Sequence, residues 1–206
     1  MKDGEVMDFT NCEINNYKYY GGNNGGKICI KLNGEDYMLK FPGAVDKKTN
    51  MPYSNSTISE YISCNILKSI GINVQDTILG TYYRNGKEKI VVACRDFTDS
   101  NIILKQFAEF KNSQIETSRN GYGTELSEVL DVIGNQTIYD KEKLKEFFWD
   151  TFIVDALIGN FDRHNGNWGF LINEKEKKID IAPLYDCASC LYPNLDDEDI
   201  ERILND

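Results

Sequence analysis

The chain has 206 residues, with 23 basic against 33 acidic side chains and a formal net charge of −10. That balance excludes a general electrostatic affinity for nucleic acid or anionic membrane, so any phosphate has to be held by a few local cations and backbone amides. The N-terminus lacks the apolar core of a signal peptide and no run of about 18 apolar residues occurs, which predicts a cytoplasmic protein that meets neither membrane nor nucleic acid. The six cysteines are scattered among apolar neighbours, as reduced core thiols are. Cys187-Ala188-Ser189-Cys190 is a lone pair, and His164 is the single histidine, too few ligands for structural zinc.

Taken in order, residues from Phe9 to Ile14 read as a first strand. It leads into Gly21-Gly22-Asn23-Asn24-Gly25-Gly26-Lys27, where glycine and asparagine let the backbone turn its N–H groups toward a phosphate. The run is not a P-loop, because Ile28 follows Lys27 and no helix begins there. Asn33-Gly34 marks a two-residue hairpin turn between Lys27–Leu32 and Glu35–Phe41. The register this turn imposes places Leu32 opposite Glu35, Cys29 opposite Met38 and Lys27 opposite Lys40. Two like charges on one face call for an anion nearby, and nucleotide phosphates would serve.

Pro42 ends that strand and a polar linker runs from Gly43 to Asn55. Next comes a helix with Ile58, Tyr61, Ile62, Asn65, Ile66 and Ile70 at helical spacing and Gly71 as its stop. Glu60 has two readings: it closes a Thr57-Ile58-Ser59-Glu60 capping box, or it is the carboxylate that pairs with Lys40. A second hairpin, Thr77–Arg84 and Lys87–Cys94 around Asn85-Gly86, has a return strand apolar on both faces and therefore central. It runs into Cys94-Arg95-Asp96-Phe97, where Cys94, Arg95 and Phe97 are positioned to meet an adenine through the backbone.

From Thr98 the pattern turns helical. Short helices are predicted over Ile102–Phe110 and Glu125–Ile133, and a longer one, capped by Asp140, ends near Gly159. The apolar residues of the last, from Leu144 through Phe152, Ile153, Ala156 and Leu157, predict a helix buried on a broad face. A hairpin of Trp168–Ile172 and Ile179–Ala182 follows. Asp196-Asp197-Glu198-Asp199 opens a final helix.

The stretch Gly159-Asn160-Phe161-Asp162-Arg163-His164-Asn165-Gly166-Asn167, completed by Leu184-Tyr185-Asp186, carries an acid, an amide and a second acid. Phosphoryl transfer uses this spacing for base, metal ligand and metal ligand. Asp162 is the candidate base, and Asn167 and Asp186 offer the hard oxygens that Mg2+ prefers.

These residues resemble the catalytic and metal-binding segments of HipA-type serine/threonine kinases. The likeness extends over the Gly21–Lys27 loop, Tyr37-Met38-Leu39-Lys40-Phe41-Pro42, Ser59-Glu60-Tyr61, Val91-Val92-Ala93-Cys94 and Phe148-Trp149-Asp150. The resemblance implies an α+β, two-lobed kinase-like fold. On that pattern residues 1–97 would form a β-rich N-lobe and 98–206 a helical C-lobe, expected to be truncated because only about 20 residues follow Asp186.

It further implies ATP and Mg2+ as cofactors and transfer to protein serine or threonine hydroxyls, the chain's own included. By position, Gly22, Asn23, Asn24, Gly25, Gly26 and Lys27 would cradle the nucleotide and Lys40 would contact its phosphates. Asp162 would be catalytic, His164 would orient the loop by hydrogen bonding, and Asn167 and Asp186 would hold metal. A partner chain completing the C-lobe, or a regulator of toxin–antitoxin type, is the corresponding partner. Two other readings stand beside this one: a phosphatidylinositol-type lipid kinase, which the acidic charge disfavours, and an ATP-binding regulatory module without turnover.

Overall fold

The computed structural model describes residues 6–21, 26–43, 55–115 and 120–205. Gly22, Asn23, Asn24 and Gly25, and most of the linker before Asn55, lie outside the described residues. The strands are β1 (Met7–Asp8), β2 (Glu13–Ile14), β3 (Lys27–Leu32), β4 (Glu35–Lys40), β5 (Thr77–Arg84), β6 (Lys87–Arg95), β7 (Ile102–Gln106), β8 (Gly169–Asn173) and β9 (Lys178–Ile181). The helices are α1 (Ser56–Ser69), α2 (Phe107–Gln114), α3 (Leu126–Asn135), α4 (Lys141–Ile158) and α5 (Asp197–Asn205). The chain divides into two compact units, one of Met1–Gly71, Gln75–Asp96 and Cys187–Asp206, the other of Ile72–Val74 and Phe97–Asp186.

In the first unit a six-stranded sheet has the order β1-β5-β6-β4-β3-β2. The β3–β4 register is the one the Asn33-Gly34 turn imposes, with Leu32 opposite Glu35 and Lys27 opposite Lys40. Asn33 and Gly34 both take positive φ, 51° and 85°, as a type I′ turn demands. Asn85 and Gly86 do the same at the second hairpin, and β6 is central, between β5 and β4.

The strand expected over Phe9–Ile14 does not form as one piece. The Asp8 carboxylate accepts the N–H of Thr10 (2.8 Å) and bends the chain, a local bond that competes with a ladder. The two short strands on either side therefore go to opposite edges of the sheet: β1 runs parallel to β5, and β2 antiparallel to β3. Phe9, between them, enters a core of Ile30, Leu32, Leu39, Phe41, Val91 and Ala93.

α1 also departs from expectation. Its isoleucine stripe is not the buried one: Ile62 and Ile70 are exposed, while Ser56, Thr57, Ser59, Glu60, Ser63, Cys64 and Leu67 are buried. Small side chains let the helix approach its neighbours closely, and the face is chosen by the partners of Glu60 and Ser59. Ser59 donates from its hydroxyl to the carbonyl of Cys190, and the Asn55 side chain donates to the carbonyl of Leu195 (2.8 Å). Residues 98–206, read above as one lobe, are thus shared between the units, with Cys187–Asp206 packed in the first.

The second unit combines α2, α3 and α4 with a three-stranded sheet of order β7-β8-β9. The helix expected over Ile102–Phe110 begins only at Phe107, because Ile102–Gln106 pairs antiparallel with β8. Ladder bonding to a distant strand overrides the local helical spacing, and a capping box between Gln106 and Glu109 starts α2 where β7 stops. α4 is capped as predicted: one oxygen of Asp140 accepts the N–H groups of Glu142 and Lys143, and Gly159 closes the helix in a left-handed conformation.

The core of this unit gathers Phe107, Phe110, Val129, Val132, Ile133, Leu144, Trp168 and Phe170, with the rings of Phe107 and Trp168 stacked at 3.9 Å. The broad buried face expected of α4 is narrower than its composition suggests. Leu144, Thr151, Val154, Asp155 and Ile158 are buried, whereas Phe152, Ile153 and Leu157 are 59%, 63% and 66% exposed, with no described residues covering them.

Candidate active site

Lys40 ends β4 on the central part of the sheet, opposite Lys27 on one side and Val92 on the other. Its ammonium lies 2.7 Å from both carboxylate oxygens of Glu60, and the two side chains are 9% and 0% exposed. This settles the geometry of Glu60 and corrects its capping alternative: α1 starts at Ser56 after Asn55, so Thr57 is already helical, and its hydroxyl donates to the carbonyl of Ile90 (3.3 Å). The Lys27–Lys40 juxtaposition has protein partners on both sides, since Lys27 donates to the carbonyl of Gly21 (2.9 Å).

The exit from β6 is held firmly. The N–H of Arg95 donates to Asp76 (2.8 Å), its carbonyl accepts from the Gln75 amide (2.9 Å), and its side chain pairs with Glu35. The Asp96 carboxylate accepts from the Tyr20 hydroxyl (2.5 Å) and the Lys18 ammonium (2.8 Å). Burial, then the bond to Asp96, push the Tyr20 phenol far above its ordinary range, so it stays a neutral donor. Cys94 is fully buried in the strand, and Phe97 belongs to the second unit.

In the second unit the loop after α4 is built by local bonds. The Asn160 side chain donates to Asp155 (2.8 Å) and accepts the N–H of Asp162 (3.2 Å). The Asn167 amide nitrogen donates to the carbonyl of Asp162 (3.0 Å). A carbonyl can only accept, so the amide nitrogen must face it and the Asn167 side-chain oxygen is directed elsewhere. Asp162 is exposed, so its carboxylate is open to an incoming group. His164 accepts the N–H of Gly166 on Nδ1 (3.0 Å), which places its proton on Nε2, and its ring meets Tyr122 edge-on.

Four residues not singled out from the sequence hold this loop. Asn165 is buried and donates to the carbonyls of Gly121 (3.0 Å) and Gly123 (2.6 Å). Gly121 has a positive φ, and a Cβ there would lie 1.9 Å from the carbonyl oxygen of Ala108. Lys111, fully buried, donates to Gly123 (2.9 Å) and pairs with Glu128 (2.7 Å). Arg163 forks onto Asp155, at 2.9 and 3.1 Å, from the last turns of α4. Asp155 carried a sequence signal, an acid amid apolar helix positions, which demands a buried cation.

Asp186 follows Leu184, which donates its N–H to Asn73 (2.8 Å), and Tyr185, whose hydroxyl donates to Gly166 (3.0 Å). Burial, and then the charge of Asp186, push the Tyr185 phenol above its usual range, which keeps that donor protonated. Among the described residues no group of three or more histidine, cysteine, aspartate or glutamate side chains could hold a metal. Asn167 and Asp186 carry oxygens of the kind that Mg2+ takes, one or two from the protein with water and phosphate at its remaining positions.

A buried lysine–glutamate pair in the first unit, and in the second a braced acid–amide loop followed along the chain by a further acid, are residue sets of the kind protein kinases use. The HipA-like C-terminal domain family matches residues 16–202, and the chain belongs to that family. It is 49% identical over 200 residues to serine/threonine-protein kinase CtkA of Helicobacter pylori, strain J99, a match covering 97% of this chain and 60% of the relative. The chain therefore spans about three-fifths of that relative's length. The crystal structure of a Helicobacter pylori proinflammatory kinase CtkA superposes with a TM-score of 0.88 at 48% identity, covering 98% of this chain and 67% of the other. HipA of Shewanella oneidensis MR-1, solved with HipB and operator DNA, shares the fold at a TM-score of 0.51 and 15% identity, over 91% of this chain and 53% of its own.

Proposed function

We propose that this chain carries an ATP- and Mg2+-dependent protein kinase activity that transfers the γ-phosphoryl group to serine or threonine hydroxyls, its own among them. The observation that carries the reading is the buried Lys40–Glu60 pair. Taking two charges out of water contributes little to stability, so a lysine held this way is better explained by the work it does on a phosphate. The named activity of the Helicobacter pylori relative supports the same assignment.

In this reading Lys40, aligned by Glu60, binds the α- and β-phosphates. Asp162 accepts the proton of the attacking hydroxyl while its oxygen bonds to the γ-phosphorus and the bond to the β-phosphate oxygen breaks, leaving ADP. His164 keeps the loop in shape through its bond with Gly166. Asn167 and Asp186 would hold Mg2+, which when bound supplies charge neutralisation at the transferring phosphate. The adenine contact falls to Phe97 rather than Arg95, whose backbone N–H and carbonyl are already bonded. The glycine-rich run from Gly21 to Lys27 would supply backbone donors in the same reading, and a protein bearing serine or threonine hydroxyls is the partner it anticipates.

The test is incubation with γ-labelled ATP, Mg2+ and a generic protein acceptor. Label is expected on protein hydroxyls and is lost in Asp162→Ala. Because Asp162 is exposed, that variant keeps the wild-type melting temperature. Nucleotide-dependent stabilisation without any label would instead leave a binding module.

A further inference from the structure

The guanidinium of Arg163 reaches three segments of the second unit at once. Nε and Nη2 donate to the two oxygens of Asp155 at 2.9 and 3.1 Å, the two-point pairing that fixes the plane of the group. Nη1 donates to the carbonyl of Asn167 (2.7 Å) and to that of Tyr185 (2.6 Å). Both side chains of the pair are about nine-tenths buried, at 10% and 8% exposure. One of the two carbonyls belongs to Asn167 itself, and the other to the residue immediately before Asp186.

From this we infer that Asp155 and Arg163 are a positioning pair that sets the spacing between Asn167 and Asp186, and through it the affinity for Mg2+. The inference rests on the kinase reading above. A single nitrogen shared by two carbonyls ties the two stretches to one point, and the fork onto Asp155 ties that point to α4. Asp155 itself is fixed further by the Asn160 amide (2.8 Å), so the chain of bonds starts from a rigid helix end. Mg2+ tolerates little departure from octahedral geometry, which makes its affinity sensitive to small changes in ligand spacing. A lysine at 163 would keep the charge but lose the planar fork and the shared donor.

The test uses the full chain as wild type, Arg163→Lys and Asp155→Asn, the last preserving shape and an acceptor oxygen for Arg163. Thermal denaturation is followed with a non-hydrolysable ATP analogue while Mg2+ is titrated, and again in EDTA. The midpoint Mg2+ concentration for the nucleotide-dependent rise is expected to increase about tenfold or more in the variants, as loss of supporting partners behind metal ligands generally does. Stabilisation by the analogue in EDTA should match wild type. A Mg2+ midpoint within about twofold of wild type would overturn the inference, as would an equal loss of response with and without Mg2+. Loss of the native circular dichroism spectrum in both variants would likewise overturn it, in favour of a purely structural pair. A wild type that shows no response to the analogue would instead remove the kinase reading beneath it.

Discussion

Asp186 has a left-handed backbone, with φ at 60°, in which asparagine and aspartate are tolerated and alanine is not favoured. Substitution there separates chemistry from fold. Asp186→Asn should keep the wild-type melting temperature while losing Mg2+-dependent nucleotide binding. Asp186→Ala should lose the same binding and about 1 kcal/mol of stability besides, as a denaturation midpoint shift.

The Lys40–Glu60 pair lends itself to the same separation. Glu60→Ala removes the carboxylate that meets a buried ammonium at two oxygens and should cost about 3 kcal/mol in urea denaturation, with Glu60→Gln costing less because it retains an acceptor. Replacing both partners, Lys40→Met with Glu60→Met, removes the buried charges altogether. That double variant should unfold at or above the wild-type midpoint and bind no nucleotide; restored stability together with retained nucleotide binding would show that the pair does not serve the phosphates.

At the scale of elements, α1 and α4 invert what their compositions suggest. α1 buries serines, a cysteine and a glutamate and leaves isoleucines outside, because its position is set by Lys40 and by residues after Cys187. The Ser63 hydroxyl on that face is buried and has no hydrogen-bond partner among the described residues. Ser63→Ala should therefore leave stability unchanged or raise it, in contrast to the usual loss on cutting a buried bond. On α4, Leu144→Ala opens a cavity in the core and should cost about 2–5 kcal/mol. Ile153→Gln and Leu157→Gln, on the exposed face, should stay within about 0.5 kcal/mol of wild type. A large loss at these two positions would mean that the face is covered in solution.

For the whole molecule, the acidic charge and the site chemistry set the conditions of binding. With a net charge of −10 the protein offers phosphate no general attraction, so ATP should bind through its metal complex. Saturating Mg-ATP should raise the melting temperature by about 5 °C, and EDTA should remove most of that gain. No helix among the described residues is long and apolar enough to cross a membrane. The fold itself is that of the HipA-like family, with a sheet unit bearing Lys40 and Glu60 and a helical unit bearing Asp162, Asn167 and Asp186.

What the sequence determined by itself is what neighbouring residues decide. Asn33-Gly34 and Asn85-Gly86 force positive φ and so fix two hairpin registers; Asp140 and Gly159 bound α4; and the loop from Asp162 to Asn167 closes on itself through hydrogen bonds of short span. Tertiary structure alone decided the features whose partners are distant. The choice of Glu60 as ion pair rather than cap depended on Lys40, 20 residues away. The conversion of Ile102–Gln106 from helix to strand depended on β8, and the burial of the polar face of α1 on residues beyond Cys187. Arg163 was visible as a charge within a motif. Its task was not, because a guanidinium's role is set by which oxygens surround it, and those come from Asp155, Asn167 and Tyr185 only once the chain has folded.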